Sequence, residues 1–367
     1  MSLRRRQPLA EPLALAAHQL KQCEANIALL DRVRPLNWQA ERQRLLAAAG
    51  QQQRPEPRFE YAPAPELAVE RRSVDAVCAL SGGDVELTLL AERAVELALE
   101  AQLAENVGSA AFRDLAGKRF PLPPEQAERH AEAVQWAERG ARGDPPAALH
   151  VSDDRHDPAS LWSLLTKRLD EKRLPVRVEP VPGLVSLAAV ADGVVRIRAG
   201  ARLAADVATR IAVHEVDGHV LPRVAGKRLG GVLLAGSARG SEQEEGRAIL
   251  LEERAGLIGL GRRAELGLRY LAAESVRAAA DFWQTCDVLL EHGASVEMAV
   301  ELSSRVHRGG GLGRELVYLA GYAQVSDSLR ISPQLEVVLE SGRISTDAAG
   351  RLLAAGSVEL DDDRNVI

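Results

Sequence analysis

The stretch His214-Glu215-Val216-Asp217-Gly218-His219 decides how this sequence of 367 residues is interpreted. It lies in a segment with helical periodicity, from about Leu203 to Leu221, and it places a carboxylate directly after the first of two imidazoles. Neutral imidazole nitrogen is a good zinc ligand. A glutamate beside a ligating histidine can accept a proton from a metal-bound water without ligating the metal. The pattern therefore favours a metal-dependent hydrolase.

The two histidines are five residues apart, whereas the common zincin motif places them four apart. On a regular helix, five residues correspond to a turn of roughly 140° between the two side chains. Both rings can face one metal only if the helix takes in an extra residue, as a π-bulge or an unwound turn. Gly218 makes such a distortion cheap. The alternative is a buried helix with two incidental histidines, which the apolar stripe Val207, Ile211 and His214 would also fit.

A third ligand is expected from a later helix that starts near Ser241. Ser241 and Glu244 have the spacing of a capping box, which would occupy Glu244 at the helix start. Glu245 is then free to ligate the metal, and Gly246 would let this helix approach the metal helix closely. We prefer Glu245 to the other acidic residues of the segment. These are Glu242, Glu244, Glu252 and Glu253. The alternative is an acidic helix start that only complements the helix dipole.

The two motifs together resemble the tubulin-tyrosine carboxypeptidase family, whose bacterial members are often described as flavohemoglobin expression-modulating proteins with a QEGLA motif. Similar segments are Arg305-Val306-His307-Arg308-Gly309, and Val317-Tyr318-Leu319 with Gly321. The sequence departs from the family at Asp217-Gly218, where Gly-Thr is usual, and at Arg247, where Leu is usual and where the pocket wall would change. Asp217 is a candidate to orient a ligating histidine.

The resemblance implies a zincin-like metallopeptidase fold, with zinc bound by His214, His219 and Glu245 and with Glu215 as the general base. The reaction would be hydrolysis of a C-terminal peptide bond, and the partner would be the C-terminus of a peptide or protein. Such an enzyme must recognise a free carboxylate, which arginine does with a bidentate fork. Arg308 is the first candidate for this role and Arg305 is the second. The alternative for both is an ordinary surface position.

The oxyanion that forms in this reaction needs a second hydrogen-bond donor. Tyr318 is the first candidate and Tyr322 the second, with simple packing on an apolar helix as the alternative for each. Two further functions remain open. One is a non-catalytic regulatory or scaffolding protein that keeps the fold, and the other is a zinc hydrolase that acts on a small amide.

The expected architecture is α+β and mostly helical, with a zincin-like core that contains a small sheet. Residues 1–150 are expected to form an N-terminal helical region with an extended, proline-rich linker near 54–66, and a boundary is expected at 143–150. Residues 151–330 would form the catalytic domain. Its β-like runs start at Val176, Leu184 and Val194, and Asp192-Gly193 is a hairpin turn signal between the last two. Residues 331–367 are predicted to be a tail, with a solvated, frayed acidic run at its end.

The composition limits the class of protein further. Hydrophobic residues make up 46% and charged residues 27% of the chain, which excludes wholesale disorder. Aromatic residues are only 3%, so the core must consist mainly of Leu, Val and Ala, which favours helices. A net charge of −6 argues against nucleic-acid binding. Without a long apolar run we expect no membrane span, and three scattered cysteines indicate reduced thiols in the cytoplasm.

Overall fold

The computed structural model describes residues 2–80, 83–140, 148–191 and 193–361, and most of them are helical. The predicted class, α+β and mostly helical, is confirmed. The α-helices are α1 (Glu11–Ile27), α2 (Leu29–Arg32), α3 (Trp38–Gly50), α4 (Ala68–Cys78), α5 (Val85–Glu105), α6 (Phe112–Arg119), α7 (Gln126–Gly140), α8 (Leu161–Glu171), α9 (Ala205–Val213), α10 (Leu221–Leu229), α11 (Val232–Ala235), α12 (Gly240–Arg254), α13 (Leu260–Arg277), α14 (Phe282–Glu291), α15 (Val296–His307), α16 (Leu316–Ile331), α17 (Leu335–Leu339) and α18 (Thr346–Ala354). A π-helix, His214–Val220, joins α9 to α10, and a short 3₁₀ turn, Arg308–Gly310, follows α15.

The strands form three small sheets. They are β1 (Ser2–Arg5), β2 (Leu149–Val151), β3 (Arg177–Val181), β4 (Ala188–Ala191), β5 (Val194–Arg198), β6 (Arg202–Ala204) and β7 (Val358–Asp361). The largest sheet has the order β3-β5-β4, with β5 parallel to β3 and antiparallel to β4. Ala191 pairs with Val194, so β4 and β5 form the predicted hairpin, although Asp192 of its turn lies outside the described residues. Strand β4 is left at an edge of this sheet.

The apolar side chains form two clusters, and the π-helix lies between them. The smaller cluster packs the sheet against α8 and α9, because α8 repeats leucine every four residues at Leu161, Leu165 and Leu169. Val216 and Val220 of the π-helix belong to this cluster. The larger cluster is built by helices from both halves of the chain, with α12, α13 and α16 among them. The π-helix therefore contacts the sheet on one side and α12 on another.

Glycines set the two closest contacts of α12. A Cβ on Gly218 would lie 2.5 Å from the Cβ of Ala248, so this glycine lets the π-helix approach α12. A Cβ on Gly246 would overlap the backbone of Gly321 on α16. The expectation that Gly246 faces the metal helix is therefore wrong. Gly246 lies where α12 crosses α16, and its lack of a side chain allows this crossing. The close contact between α12 and the π-helix comes from Ala248 instead.

The segment predicted to be a C-terminal tail is folded as far as residue 361. Helices α17 and α18 bury Val338 and Leu352 in the larger cluster, and strand β7 pairs with β1. The last two residues of the acidic run, Asp362 and Asp363, lie outside the described residues, as does most of the predicted boundary at 143–150. The two domain boundaries stay predictions.

Residues 53–67, here called the arm, contain no helix or strand and connect α3 to α4. Side chains from distant elements hold the arm. Trp283 Nε1 on α14 donates a hydrogen bond to the Pro55 carbonyl at 2.9 Å. Phe59 stacks on Trp38 with ring centroids 6.2 Å apart. The predicted extended segment thus lies against the helices in a fixed position.

We expect Gly246→Ala to lower the free energy of unfolding by roughly 1–3 kcal/mol, because a methyl group at this crossing forces α12 and α16 apart. Gly350→Ala in α18 is the matched control, since no atom lies within 4 Å of its added Cβ. The control should stabilise the protein by about 0.5–1 kcal/mol through helix propensity. Urea unfolding measures both changes. A Gly246→Ala protein as stable as the wild type would contradict the close crossing.

Candidate metal centre and cleft

The π-helix brings the two histidines of the central motif together. His214 is its first residue, and His219 follows within the same seven-residue segment. The two ring centroids are 5.0 Å apart. A regular helix would direct these side chains roughly 140° apart, and the wider turn removes that divergence. The five-residue spacing is thus accommodated by a π-helix, the first of the two distortions that the sequence allowed.

Glu245 on α12 completes a group of three possible ligands. Its Oε2 lies 3.5 Å from Nε2 of His214 and 3.6 Å from Nε2 of His219. Potential ligand atoms of the three residues all lie within 4.8 Å of one another. In the described part of the chain, this is the group of histidine and acidic residues found close enough to hold a metal ion. The three residues named from the sequence therefore converge on one point.

The other nitrogen of each imidazole faces a second carboxylate. Nδ1 of His214 lies 2.6 Å from Oε1 of Glu252, a hydrogen bond that leaves Nε2 directed at Glu245. Nδ1 of His219 lies 3.1 Å from Oε2 of Glu244. The angle between the two groups does not allow a hydrogen bond, so this contact is electrostatic. Burial alone would lower the pKa of His219, but the carboxylates of Glu244 and Glu245 raise it well above its usual value. The centre therefore favours an added positive charge.

The capping box expected at Ser241 and Glu244 is wrong. Helix α12 begins at Gly240, after Arg239 at φ 58°, and no side chain caps its start. Glu244 is instead buried against His219, a role that the sequence spacing did not reveal. Ser241 lines the cleft beside the three candidate ligands. Glu245 lies against both histidines, although the capping box that would have left it free does not form.

Asp217 does not orient either histidine. Its Oδ2 accepts a 2.7 Å hydrogen bond from Nε of Arg168, and its Oδ1 lies 3.0 Å from Nζ of Lys172. Arg247, expected to alter the pocket wall, donates to the Asp217 backbone carbonyl at 3.0 Å and to Glu340 at 3.1 Å. These contacts stabilise the π-helix from α8 and from the α17 end. Neither Asp217 nor Arg247 lines the cleft.

A cleft of about 830 Å³ opens beside the candidate ligands. It is lined by residues 184–190, which include the start of edge strand β4, and by residues of α1 and α2. Glu215 also lines it and makes no ion pair with any described residue. The same cleft has an apolar part, which is lined by Leu29, Leu30 and Leu187. The space has the size expected for a small ligand or a few residues of a peptide.

Arginines gather in the same cleft around one buried carboxylate. Glu315 lies 3.4 Å from Nε of Arg305 and 3.8 Å from Nη1 of Arg269. The side chain of Arg308 has no hydrogen bond or ion pair with any described residue, and its Nε is buried. Burial lowers the pKa of Arg308 to about 10, as expected for a cation without a close partner. The two arginines named from the sequence thus differ, because Arg305 is paired and Arg308 is not.

Arg314 is a site residue that the sequence did not single out. Its Nη2 donates to Oε1 of Glu245 at 3.2 Å, and its Nη1 donates to the hydroxyl of Tyr318 at 3.3 Å. One guanidinium thus holds both a candidate ligand and a candidate oxyanion donor. Arg314 lies between the glycine-rich loop and α16, and its position in the sequence carries no motif that would have identified it.

The two candidate tyrosines are in different surroundings. Tyr318 lines the cleft, and Arg269 lies over its ring at 4.9 Å from the centroid. Tyr322 is one helical turn further along α16 and donates a 2.5 Å hydrogen bond to Oε2 of Glu253. Its ring packs on Trp136 with centroids 5.7 Å apart. Tyr322 does not line the cleft, because one turn moves it about 6 Å along the helix axis.

The loop that carries Arg308 is held by a half-buried histidine. Nε2 of His307 lies 2.9 Å from the hydroxyl of Thr285, and its ring packs against Phe282. Burial, with a smaller effect of the Arg113 charge, lowers the pKa of His307 to about 4. His307 is therefore a neutral structural side chain. It fixes the end of α15 from which Arg308 follows.

Two imidazoles and a carboxylate that converge beside a cleft with an unpaired arginine form an arrangement typical of hydrolases that act on substrates with a free carboxylate. The chain belongs to the microtubule-associated tyrosine carboxypeptidase family, whose family model matches residues 47–356. This confirms the resemblance noted in the sequence, and the match includes every candidate site residue. The family is one of carboxypeptidases, so a carboxypeptidase-like activity follows from membership at this coarse level.

Other comparisons add little. No curated protein sequence matches the chain. Among solved structures, a presumed lipoprotein from Colwellia psychrerythraea is similar with a TM-score of 0.49 and 12% sequence identity, and the alignment covers 96% of this chain and 77% of that one. A similarity at this level supports no conclusion about fold or function. Within the described residues, no helix has the length and apolar character needed to cross a membrane.

We expect the stability of the protein to fall as the pH drops from 7 to 4.5, in part because of His307. Its folded pKa of about 4 lies below the usual value near 6.5, so the unfolded chain takes up a proton that the folded chain excludes. His307 should contribute about 2 kcal/mol to this loss. In urea unfolding at several pH values, His307→Gln should show a shallower dependence on pH. His18→Gln, at an exposed position of α1, should keep the wild-type slope, and equal slopes in all three proteins would contradict the assignment.

Proposed function

We propose that this protein is a zinc-dependent carboxypeptidase that removes residues from the C-terminus of a peptide or protein. One observation carries the proposal. The Nε2 atoms of His214 and His219 converge with Oε2 of Glu245 beside the cleft that contains the unpaired Arg308. Membership of a carboxypeptidase family supports the same conclusion.

The donor set fits zinc. With metal–ligand bonds near 2.0–2.2 Å, two ligands of a tetrahedral zinc are roughly 3.4 Å apart. The observed separations of 3.5 Å and 3.6 Å between Glu245 Oε2 and the two Nε2 atoms are close to this value. Three protein ligands would leave one position open, which is typical of catalytic sites. Zinc bound there would lower the pKa of a water molecule and polarise a carbonyl group.

Glu215 is the proposed proton carrier. It follows His214 directly, lines the cleft, and has no ion-pair partner among the described residues that would occupy its carboxylate. This carboxylate accepts a proton from the attacking water and passes it to the departing amine. Tyr318 is the proposed hydrogen-bond donor to the oxyanion. Its hydroxyl oxygen accepts from Arg314, so its own proton stays available for the substrate.

Arg308 is the proposed partner of the substrate's C-terminal carboxylate. A partly buried cation without a direct ion-pair partner is costly, and a bound carboxylate would reduce that cost while forming two parallel hydrogen bonds. Arg305 is a weaker candidate, since Glu315 already lies 3.4 Å from its Nε. Binding of a carboxylate by Arg308 selects for a chain end, because an internal peptide bond offers no carboxylate at that position.

Edge strand β4 favours a peptide over a small amide. Among the described strands, β4 pairs with β5 alone, and the residues leading into it line the cleft. An extended peptide can add to such an edge through backbone hydrogen bonds. A small amide would leave that edge without a partner.

Metal binding and the base are tested together. The purified protein should contain about one zinc per chain, which His214→Ala and Glu245→Ala should lose. Glu215→Gln should keep the zinc but lower kcat by about 10²- to 10⁴-fold on C-terminal peptide libraries. Metal analysis and mass spectrometry of the peptides measure these outcomes. Zinc retained in Glu245→Ala would show that the third ligand is another residue, and zinc without cleavage of any peptide would favour the non-catalytic alternative.

Carboxylate recognition is tested by comparing peptide acids with the corresponding C-terminal amides. The wild type should strongly prefer the acids. Arg308→Gln should raise KM for the acids by about 10- to 100-fold, the value of a charge-assisted hydrogen bond, and leave the amides unchanged. Arg305→Gln should have a smaller effect, because its charge is already paired. If Arg305→Gln alone removes the preference, the two arginines have the opposite roles.

A further inference from the structure

The hydroxyl of Tyr61, on the arm, contacts the loop that carries Arg308. We propose that Tyr61 is a positioning residue, which holds this loop so that the Arg308 guanidinium meets the C-terminal carboxylate of the substrate. The inference rests on the proposed function, because it assumes that Arg308 binds a carboxylate. Tyr61 itself does not line the cleft, so it would act only through Arg308.

The residue after Arg308 is held at both of its backbone polar groups. Gly309 N–H donates to the Tyr61 hydroxyl at 2.7 Å. Gly309 C=O accepts from the Gly108 N–H at 2.8 Å. Arg308 has an extended backbone, at φ −55° and ψ 148°, and Gly309 has a φ of 73°. Within the loop, the Arg308 carbonyl accepts from the N–H groups of Gly311 and Leu312 at 3.3 Å and 3.2 Å. The two hydrogen bonds of Gly309 hold this sharp change of direction from outside the loop.

Packing restricts the conformation of the loop further. A Cβ on Gly309 would lie 2.6 Å from Cζ of Phe112, so the loop rests directly on that ring. On the other side of Arg308, the imidazole of His307 is fixed by Thr285 at 2.9 Å. The Arg308 side chain has no hydrogen bond or ion pair with any described residue. Its direction is therefore set by the backbone. These external contacts hold that backbone, together with the hydrogen bonds that Gly311 and Leu312 donate to the Arg308 carbonyl.

The chemistry of the contacts suits a carboxylate site. The Tyr61 hydroxyl, the Gly108 amide and the Phe112 ring are all neutral, so they hold the loop without offering Arg308 a counter-charge. Burial raises the pKa of Tyr61 to about 12, which keeps this hydroxyl protonated and uncharged near neutral pH.

Tyr61 is itself held in place by the arm. Phe59, two residues earlier, stacks on Trp38, and the Pro55 carbonyl accepts from Trp283. The Tyr61 ring lies close to Gly108, where an added Cβ would be 3.3 Å away. Loss of the hydroxyl alone should therefore leave the arm and the ring in position. The change removes only the hydrogen bond from the Gly309 amide, which joins Arg308 to Gly309.

The test uses the full-length, zinc-loaded protein with Glu215→Gln, which should bind substrate without cleaving it. The probes are an N-acetylated peptide that the wild type trims, as its free acid and as its C-terminal amide, and calorimetry measures both affinities. Tyr61→Phe should weaken binding of the acid by about five- to tenfold, the value of one ordinary hydrogen bond, and leave binding of the amide unchanged. Arg54→Gln is the matched control, because it removes another anchor of the arm, the pair with Asp287, without touching the loop. The control should change neither affinity.

Several results would overturn the proposal. These are unchanged acid binding in Tyr61→Phe, an equal loss for acid and amide, or the same selective loss in Arg54→Gln. A Tyr61→Phe protein that melts well below the wild type or loses zinc would assign the hydroxyl to the fold instead, and would also overturn it. Failure of the proposed function is recognised separately in the protein without the Tyr61 change. If that protein does not prefer acid to amide, both proposals fall.

Discussion

One extra residue in a helical turn is the constraint on which the candidate site depends. Without the π-helix His214–Val220, the two imidazoles would point in different directions, and Glu245 could meet only one of them. The wider turn is stabilised by its neighbours rather than by its own sequence. Gly218 allows α12 to come close, Arg247 binds the Asp217 carbonyl, and the Asp217 side chain is paired from α8. A geometry that isolated helices avoid is thus fixed by tertiary contacts.

Charge is arranged around this turn in successive layers. The carboxylates of Glu244 and Glu252 lie behind the imidazoles, and the hydrogen bond with Glu252 leaves Nε2 of His214 directed at Glu245. Glu252 in turn accepts two 3.0 Å hydrogen bonds from Arg262. Most of the buried cations of the cleft therefore have a partner, since an unpaired one is costly. Against this background the unpaired Arg308 stands out, and this contrast makes it the best candidate for a substrate contact.

Features that depend on adjacent residues could be predicted from the sequence more fully than features that depend on long-range contacts. The spacing of His214 and His219 required a distorted helix, and the β4–β5 hairpin follows a short turn signal, so both could be predicted from adjacent residues. The role of Glu244 could not, because a capping box and a contact with a distant imidazole look the same in sequence. Arg314 and the Tyr61 contact with Gly309 were missed for the same reason. Each joins segments whose proximity only the folded chain determines. The zincin-like core and the domain boundaries stay predictions.

The pairing of β1 with β7 has a consequence for how the chain is made. Residues 2–5 pair with residues 358–361, and Leu3 and Val358 both belong to the larger apolar cluster. During translation, β1 must therefore wait for about 350 further residues before its partner emerges. Contacts of such long sequence separation slow folding, and the uncovered apolar surface is exposed to aggregation in the meantime.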